Sequence, residues 1–494
     1  RPALLEPGKL RAPTLPDVPI DYIIHWLKRR MPEFGGGPPK SFADRVLIVL
    51  SETGSGKSTV LPVHTLRLLR SEKTPAGRPY RGLSVLCTQP RVLTAIKLAE
   101  GVADPLLYPD IVMGMTVGYQ TGAVNEKPVS GLIYATIGTL AAQLRNLEDA
   151  EIMGLYRFII IDEAHERSLD TDLTLMMLKA FCQRNLGHPQ LPFIILASAT
   201  IDTAKYARYF EVGDKNIVQV VGRAHPIEDH WPERGTNDYP AEAAAVAVRI
   251  HTEHPDDPPE RADILIFAPG AAEIGEIQDR LEKANLAQLA PGSGARPFLV
   301  LPIMGAAVQL ETREYRMVFA DPATLRVPGT DQRPLRRIVI ATVVAETGLT
   351  INTLKYVIDN GWNRQNEHYP PLGAAGLITR PIARSRMRQR RGRVGRLFPG
   401  EFHPLYTRNV SDVLDEDQYP DVVTVGCSEI FLDLVAAQQA SKPRRPEFRL
   451  EDIDMLDVPP AADLAEALEL AWLSGFVAAD AELRSRSGPP AETS

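Results

Sequence analysis

A short run of glycine, lysine and hydroxyl residues has the composition of a phosphate-binding loop. Residues 51–59 read Ser-Glu-Thr-Gly-Ser-Gly-Lys-Ser-Thr, between an apolar stretch at Val46–Leu50 and a helix-compatible stretch at Thr59–Arg70. A strand, a glycine loop and a helix in this order direct backbone N–H groups and a helix N-terminus at phosphate oxygens. Lys57 can then reach the β- and γ-phosphates, and Ser58 can offer a hydroxyl to Mg²⁺. The expected nucleotide contacts are Thr53, Gly54, Ser55, Gly56, Lys57, Ser58 and Thr59.

Two adjacent carboxylates, Asp162 and Glu163, follow a second apolar stretch at Phe158–Ile161. In open α/β sheets, ligands bind beyond the carboxyl ends of the strands. An aspartate there holds Mg²⁺, usually through water, and a neighbouring acid orients or deprotonates the attacking water. We therefore assign Asp162 to the metal and Glu163 to the water. The alternative is a solvated acidic turn at the end of a strand, which is common for an isolated Asp-Glu pair.

Parallel sheets must position these residues, and the apolar pattern predicts two of them. Short apolar runs separated by helix-compatible segments are typical of parallel strands that helices cover on both faces. The runs of the first set are Val46–Leu50, Leu83–Cys87, Phe158–Ile161 and Phe193–Ala197, and those of the second are Ile264–Ala268, Phe298–Leu301, Ile338–Ala341 and Tyr356–Ile358. The predicted division is an arm with one helix (1–44), two α/β domains (45–222 and 223–408) and a C-terminal region (409–494) with an amphipathic helix at Ala461–Ala478.

Composition narrows the class of protein further. The chain has 494 residues and a net charge of -7, which taken alone argues against a nucleic-acid binder, but eight arginines fall between Arg380 and Arg396. Such a run is usually a solvated face, and Arg384, Arg386 and Arg388 are assigned either to the surface or to nucleic acid.

Three widely spaced cysteines indicate a reducing, intracellular compartment, nuclear or cytoplasmic. No apolar run approaches the roughly 20 residues that span a bilayer. Because residue 1 is Arg, we expect a piece of a longer or processed chain.

Several motifs in a fixed order carry a family resemblance. Residues 162–168, Asp-Glu-Ala-His-Glu-Arg-Ser, resemble the signature of DEAH-box helicases of superfamily 2. Residues 88–91, 198–200, 341–351 and 389–396 resemble motifs Ia, III, V and VI of that family, in the family's order. The resemblance implies two tandem RecA-like P-loop domains with parallel sheets, followed by the start of a helical winged-helix-like domain. Val394 with Phe398–Gly400 is also similar to RNA helicases of large DNA viruses and some RNA viruses.

The resemblance also implies roles for individual residues. The residues of the catalytic group would be Asp162, Glu163, His165, Gln389, Arg393 and Arg396, with the last two as arginine fingers. Ser198 and Thr200 would couple the nucleotide state to domain closure. The contacts to the nucleic-acid backbone would be Thr88, Arg91 and Thr342. Phe319 would stack on the base, although a phenylalanine at such a position is otherwise a core residue.

The activity that the resemblance implies is ATP-dependent helicase action, with 3′→5′ translocation on single strands, mostly RNA. ATP with Mg²⁺ would be the cofactor, and other NTPs would be accepted because residues 1–50 contain no glutamine to read adenine. We expect a monomer without membrane attachment, and a protein activator is compatible with the family.

Departures from the family pattern leave two alternatives open. Ser51, Ile137 and Gly348 stand where the family has Gly, Asp and Ser. They favour a nucleotide-gated RNA clamp with little turnover, whereas Lys57 and Glu163 oppose it. The other alternative is a P-loop ATPase that acts on DNA or protein. Residues 369–379 correspond to the family's strand-separating hairpin and contain prolines that are poor strand formers.

Overall fold

The computed structural model describes residues 17–51, 55–71, 82–220, 225–288, 296–305, 312–347, 351–369, 374–428, 430–435 and 453–476. These residues form two compact units. Unit 1 takes the described residues of Arg1–Gly222, Glu367–Gly376 and Tyr419–Ser494, and unit 2 takes those of Arg223–Asn366 and Leu377–Gln418. The residues named above that lie outside the described stretches are Thr53, Gly54, Gly348, residues 370–373 of the expected hairpin, and the end of the helix predicted to reach Ala478.

Unit 1 is built on an eight-stranded sheet with the order β4-β3-β5-β2-β6-β7-β1-β8. Neighbouring strands run parallel, except that β4 is antiparallel to β3. The strands are β1 (Val46–Ser51), β2 (Ser84–Gln89), β3 (Val117–Gln120), β4 (Asn125–Glu126), β5 (Leu132–Thr136), β6 (Tyr156–Ile161), β7 (Phe193–Ser198) and β8 (Ile217–Val220). The carboxyl ends of β1, β2, β6 and β7 therefore share one edge, where the predicted site residues follow.

Helices cover both faces of this sheet, as the continuous apolar strands predict. They are α1 (Asp17–Arg30), α2 (Val60–Ser71), α3 (Val92–Val102), α4 (Ile137–Asn146), α5 (Asp149–Leu155), α6 (Leu169–Arg184) and α7 (Thr203–Tyr209). One core joins Ile23 and Trp26 of α1 to Leu66 of α2 and Val85 of β2. The helix predicted near residue 21 is thus confirmed, and its apolar side is part of the core of unit 1.

Unit 2 contains a six-stranded sheet in the order β11-β12-β10-β13-β16-β9, with all neighbours parallel. Its strands are β9 (Ile227–Asp229), β10 (Asp263–Phe267), β11 (Leu299–Ile303), β12 (Arg337–Ala341), β13 (Leu354–Asp359) and β16 (Gly400–Pro404), and its helices are α8 (Tyr239–Glu253), α9 (Ala271–Gln288), α10 (Arg313–Phe319), α11 (Val344–Thr347), α12 (Arg384–Arg391) and α13 (Arg408–Asp412). The predicted α/β class with two parallel sheets is confirmed.

A separate two-stranded sheet pairs β14 (Trp362–Tyr369) with β15 (Ala374–Pro381). The strand pair therefore begins earlier than the hairpin expected at residues 369–379, because Trp362 and the polar residues after it already lie in β14. The residues of this sheet are divided between the two units.

The C-terminal part of unit 1 packs on α4 and α6. It includes α14 (Asp421–Thr424) and α15 (Ala461–Leu473). Phe431 and Leu468 lie in one core cluster with Leu173 and Met176 of α6. The predicted amphipathic helix is confirmed as α15, while its winged-helix character stays a prediction. No helix in the described part of the chain combines the length and apolarity that a bilayer crossing requires.

Candidate nucleotide site

The loop after β1 is shaped by Gly56. This residue has a φ of 87°, and a Cβ added to it would lie 2.6 Å from Val60 Cγ2, so a glycine is needed here. The Gly56 carbonyl accepts a hydrogen bond from the Val60 N–H at 2.7 Å and so begins α2. Ser51, where the family has glycine, is buried, and its hydroxyl hydrogen-bonds the Ser55 hydroxyl. The loop thus leads directly into a helix N-terminus, as phosphate binding requires.

Lys57 connects this loop to the acid pair. Its buried ammonium Nζ lies 2.6 Å from Glu163 Oε2 and 4.0 Å from Asp162 Oδ1. The two carboxylates that follow β6 therefore lie beside the ammonium group of the loop that precedes α2. The solvated-turn alternative for the acid pair is wrong for Asp162, which is buried.

Asp162 is held by Gln89, a residue that the motifs did not single out for the site. Gln89, at the end of β2, donates from Nε2 to Asp162 Oδ2 at 2.8 Å, and the Glu163 N–H donates to Oδ1 at 2.9 Å. Burial raises the pKa of Asp162, and Lys57 and a hydrogen bond from Ser58 partly oppose this. A buried carboxylate in this state favours a nearby cation. Gln89 stands in the quoted 88–91 motif, and its position at the carboxyl end of a strand next to β6 was the signal for it.

Glu163 has an unusual backbone conformation. Its φ of 53° lies in the left-handed region, which costs a non-glycine residue on the order of 1–3 kcal/mol. The following residue fixes the loop, because the Ala164 N–H donates to Ala197 O at 3.1 Å and the Tyr206 hydroxyl donates to Ala164 O at 2.6 Å. Strain of this kind is concentrated at functional sites, where it aims a side chain.

His165 and Ser198 meet, which the sequence alone did not reveal. His165 Nδ1 lies 2.9 Å from Ser198 Oγ and 3.4 Å from Glu163 Oε2. Ser198 is buried at the end of β7, and Thr200 lies partly exposed two residues later. Of the two residues expected to couple nucleotide state to motion, Ser198 is therefore linked to the acid pair through His165.

The residues at this site fit a nucleotide with Mg²⁺. The carboxylate of Asp162 and the hydroxyl of Ser58 are oxygen ligands of the kind that Mg²⁺ prefers. A side chain at Gly56 would collide with Val60, so the glycine preserves the shape of the loop, and Lys57 supplies the positive charge. Asp162 and Ser58 would hold the metal, while Lys57 and the loop would hold the phosphates.

The predicted nucleic-acid contacts lie in different surroundings. Thr88 is buried in β2, and its hydroxyl donates to Ile160 O at 3.4 Å. Arg91 is partly exposed, with its guanidinium 3.9 Å from Glu166 Oε1. Thr342, in unit 2, is partly exposed just after β12. Their assignment to nucleic acid stays a prediction, and of the three Thr88 is the least accessible.

In unit 2, a buried ionic network lies beneath the arginine-rich motif. Arg390 donates to Glu346 Oε1 and to Asp359 Oδ1, each at 2.7 Å, and Arg386 donates to Glu346 Oε2 at 2.8 Å. Burial raises the pKa of Glu346, but Arg386 and Arg390 lower it more, so it lies below its usual value. Arg390 thus holds α11, α12 and the end of β13 together.

The other residues of this motif are placed around the network. Gln389 and Arg393 are buried, and the positive charge of Arg393 also lowers the pKa of Glu346. Arg396 donates from Nε to Gly392 O at 3.2 Å. Their expected catalytic roles stay predictions.

The run of arginines does not form an unpaired basic surface. Arg384 and Arg388 both pair with Glu416, at 3.2 and 2.6 Å, and Arg391 pairs with Asp229 at 2.7 Å. These partners are distant in sequence, so the charge pattern alone suggested a basic groove. The structure instead places most of the run in ion pairs within unit 2.

Phe319 ends α10 with 47% of its surface exposed. Its ring contacts only the edge of Tyr315 among the ring pairs of the described residues, with centroids 5.1 Å apart. The alternative that Phe319 is a core residue is therefore wrong. Base stacking stays a prediction, and an exposed phenyl group is what it requires.

Comparisons with known proteins find similarity to proteins that are described as helicases. Residues 39–208 match the family model described as DEAD/DEAH box helicase. Proteins of African swine fever virus named as candidate RNA helicases, one from a South African tick isolate and one from a Namibian warthog isolate, are each 50% identical over 493 residues. The alignment covers 97% of this chain and 50% of each relative, so the chain spans about half their length.

Among solved structures, this chain has a fold similar to that of bacterial DEAH-type helicases. The Escherichia coli DEAH/RHA helicase HrpB superposes with a TM-score of 0.68 at 26% identity, covering 94% of this chain and 51% of HrpB. A second structure, of the Escherichia coli DExH-box NTPase HrpB, gives a TM-score of 0.66 at 26% identity, covering 95% of this chain and 50% of that one.

Proposed function

We propose that this chain, whose residues 39–208 match the family model described as DEAD/DEAH box helicase, is an NTP-dependent RNA helicase that translocates 3′→5′. The observation that carries the proposal is the contact between the Lys57 ammonium and the Glu163 carboxylate at 2.6 Å, beside the buried Asp162. A binding module has no need of a second, strained acid at this position. The RNA substrate rests on the family resemblance and on the names of the viral relatives, and the polarity rests on the family resemblance alone.

Hydrolysis would proceed through residues of unit 1. Mg²⁺ bound with the nucleotide would neutralise part of the negative charge of the phosphates. Lys57 would shift from Glu163 toward the phosphates, because their negative charge is greater than that of one carboxylate. Glu163, released from Lys57, would orient the attacking water and accept its proton. The Gln89 hydrogen bond would keep Asp162 from rotating.

Motion would be coupled to hydrolysis through two sets of residues. In unit 1, a change at Glu163 reaches β7 through His165 and Ser198. For unit 2, we propose that Arg393 and Arg396 act as arginine fingers and that Gln389 contacts the water or the γ-phosphate. Thr88, Arg91 and Thr342 would hold the RNA backbone, and Phe319 would stack on the base. The buried, free cysteines Cys87, Cys182 and Cys427 support a reducing compartment, which we propose is intracellular.

The test is NTP hydrolysis with single-stranded RNA, with DNA of the same sequence, and without nucleic acid. We expect stimulation by RNA that is lost in Lys57→Ala and in Glu163→Gln, with nucleotide binding retained in Glu163→Gln. Duplexes with a 3′ or a 5′ single-stranded overhang then test the polarity. Nucleotide binding without stimulated turnover would overturn the helicase proposal in favour of a clamp, and stimulation by DNA alone would overturn the choice of RNA.

A further inference from the structure

One imidazole and two carboxylates gather in unit 1 far in sequence from the nucleotide site. His368 lies in the part of β14 that belongs to unit 1, and Asp463 and Glu466 lie one helical turn apart on α15. His368 Nε2 is 2.5 Å from Glu466 Oε2. One ligand atom from each of the three residues lies within 4.8 Å of the other two. Two carboxylates this close to an imidazole nitrogen bring together three side chains that can each bind a metal ion.

Within the cluster, Asp463 has a buried carboxylate oxygen that no hydrogen bond compensates. It is only 4% exposed, and its Oδ1 has no hydrogen-bond partner in the described part of the chain. Burial raises the pKa of Asp463, His368 lowers it, and Glu466 raises it again. The N-terminus of α15 stabilises an acid in its first turn, but it leaves Oδ1 without a donor. A buried carboxylate oxygen of this kind is costly unless a cation or a proton compensates it.

The imidazole is held in place by the backbone beneath it. Gly426 has a φ of 81°, and a Cβ added there would lie 2.8 Å from His368 Cδ2 and 2.9 Å from its Cγ. The ring therefore occupies space that any other residue would fill. With Glu466 on its Nε2 side, His368 presents that nitrogen to the two carboxylates. The three side chains are thus preorganised by β14, by Gly426 and by α15.

We propose that His368, Asp463 and Glu466 form a binding site for a divalent transition metal of the zinc class. One imidazole nitrogen and two carboxylate oxygens are a ligand set that zinc accepts, with water in the remaining position. Ligand atoms around a tetrahedral zinc ion lie roughly 3.0–3.5 Å apart, so the contact between His368 and Glu466 would open by about 0.5–1 Å. Mg²⁺ is disfavoured because it prefers an all-oxygen set.

A second cluster of metal-ligating type occurs in unit 2, but its geometry does not fit. His230, Glu401 and His403 also bring three ligand atoms within 4.8 Å. The two imidazole rings, however, stack with centroids 4.4 Å apart and planes at 7°. An ion must lie near the plane of each ring that binds it, and no point near both planes exists for parallel stacked rings. This cluster therefore serves as a control.

A bound ion would tie β14 to α15. The pair of His368 with Glu466 is a direct polar link between these two elements. Replacing one hydrogen bond by three metal bonds would make the attachment stronger and dependent on metal. This site lies outside the nucleotide machinery, so the inference stands or fails separately from the proposed helicase activity.

The experiment is calorimetric titration of the metal-stripped chain with Zn²⁺. We expect one Zn²⁺ per chain and binding that is at least about 100-fold weaker in Asp463→Asn and in His368→Gln. Glu401→Gln should bind as the unchanged protein does, and excess Mg²⁺ should not compete. Zn²⁺ should also raise the melting temperature of the unchanged chain but not that of Asp463→Asn.

Two results would overturn the proposal. One is absence of Zn²⁺ binding by the folded, unchanged chain. The other is equal binding by Asp463→Asn, which has the same shape as the native residue. If either variant does not fold, as circular dichroism would show, Glu466→Gln takes its place with the same expected loss and the same contrary result.

Discussion

Ser198 Oγ lies 2.9 Å from His165 Nδ1, and this contact joins the end of β7 to the loop that carries the acid pair. The same imidazole nitrogen is 3.4 Å from Glu163 Oε2. A change in the charge or contacts of Glu163 therefore reaches the Ser198 hydroxyl through one side chain. Glu163, which would activate water, and Ser198, which would transmit the nucleotide state, are therefore linked by the His165 side chain.

Ser198→Ala should separate hydrolysis from strand separation. A single hydrogen bond contributes about 0.5–1.5 kcal/mol, so we expect unwinding per NTP hydrolysed to fall by about threefold to tenfold. Hydrolysis itself should change little, because Ser198 does not contact the acids directly. Both rates are measured on one duplex RNA with a single-stranded overhang.

The double variant His165→Ala with Ser198→Ala is the control for that prediction. If the contact carries the coupling, the double variant should lose no more unwinding than the more affected single variant. Additive losses would mean that the two residues act independently, which would contradict the proposed route.

Gln89→Leu should weaken metal binding at the nucleotide site. The substitution removes the N–H that holds Asp162 Oδ2 at 2.8 Å and preserves most of the side-chain volume. Loss of a residue that orients a metal ligand typically costs about 10-fold to 100-fold in metal affinity. The Mg²⁺ concentration that gives half-maximal hydrolysis should rise by about that factor. Gln143→Leu removes a comparable hydrogen bond to Tyr156 away from the acids and should leave this concentration unchanged.

Glu346→Gln should destabilise unit 2 at neutral pH. The substitution leaves Arg390 and Arg386 without one of their carboxylates, and breaking a buried ion pair costs about 3–5 kcal/mol. Since the pKa of Glu346 is lowered in the folded protein, its contribution is present above the unfolded value of about 4.3 and is lost as the pH falls through the folded value.

Denaturant unfolding at pH 7 and at successively lower pH measures this effect. The difference in unfolding free energy between the unchanged chain and Glu346→Gln should be largest at pH 7 and should decrease below about pH 4.3. A difference that does not change with pH would show that the carboxylate charge of Glu346 is not what stabilises the fold.

The sequence predicted those parts of the fold and site that depend on local order. β1, β6, β10 and β12 each contain an apolar run of at least four residues, and the phosphate loop and the acid pair follow strands directly. β5 was missed because α4 begins at Ile137, directly after Thr136 ends the strand, so no loop separates the two elements.

Contacts between distant residues could not be predicted. Arg390 meets Glu346 across 44 residues and Gln89 meets Asp162 across 73, and nothing in their spacing indicates either pair. The ion pairs of the arginine run could not be predicted for the same reason. Its charges are adjacent in sequence, whereas the acids that neutralise them, Asp229 and Glu416 among them, come from other elements.

Arg167 and Asp457 belong to one ion-pair network of unit 1. Arg167 donates to both carboxylate oxygens of the buried Asp172, at 2.6 and 2.8 Å, and also to Asp457 at 2.6 Å. Lys205 pairs with Asp457 as well. Arg167→Met leaves Asp172 charged and buried without its partner, so we expect a loss of about 3–5 kcal/mol in unfolding free energy. Asp457→Asn should cost only about 1 kcal/mol, because Asp457 is partly exposed and water can replace it. Denaturant titration of both variants measures the two losses, and equal losses would show that the buried Asp172 does not determine the stability of this network.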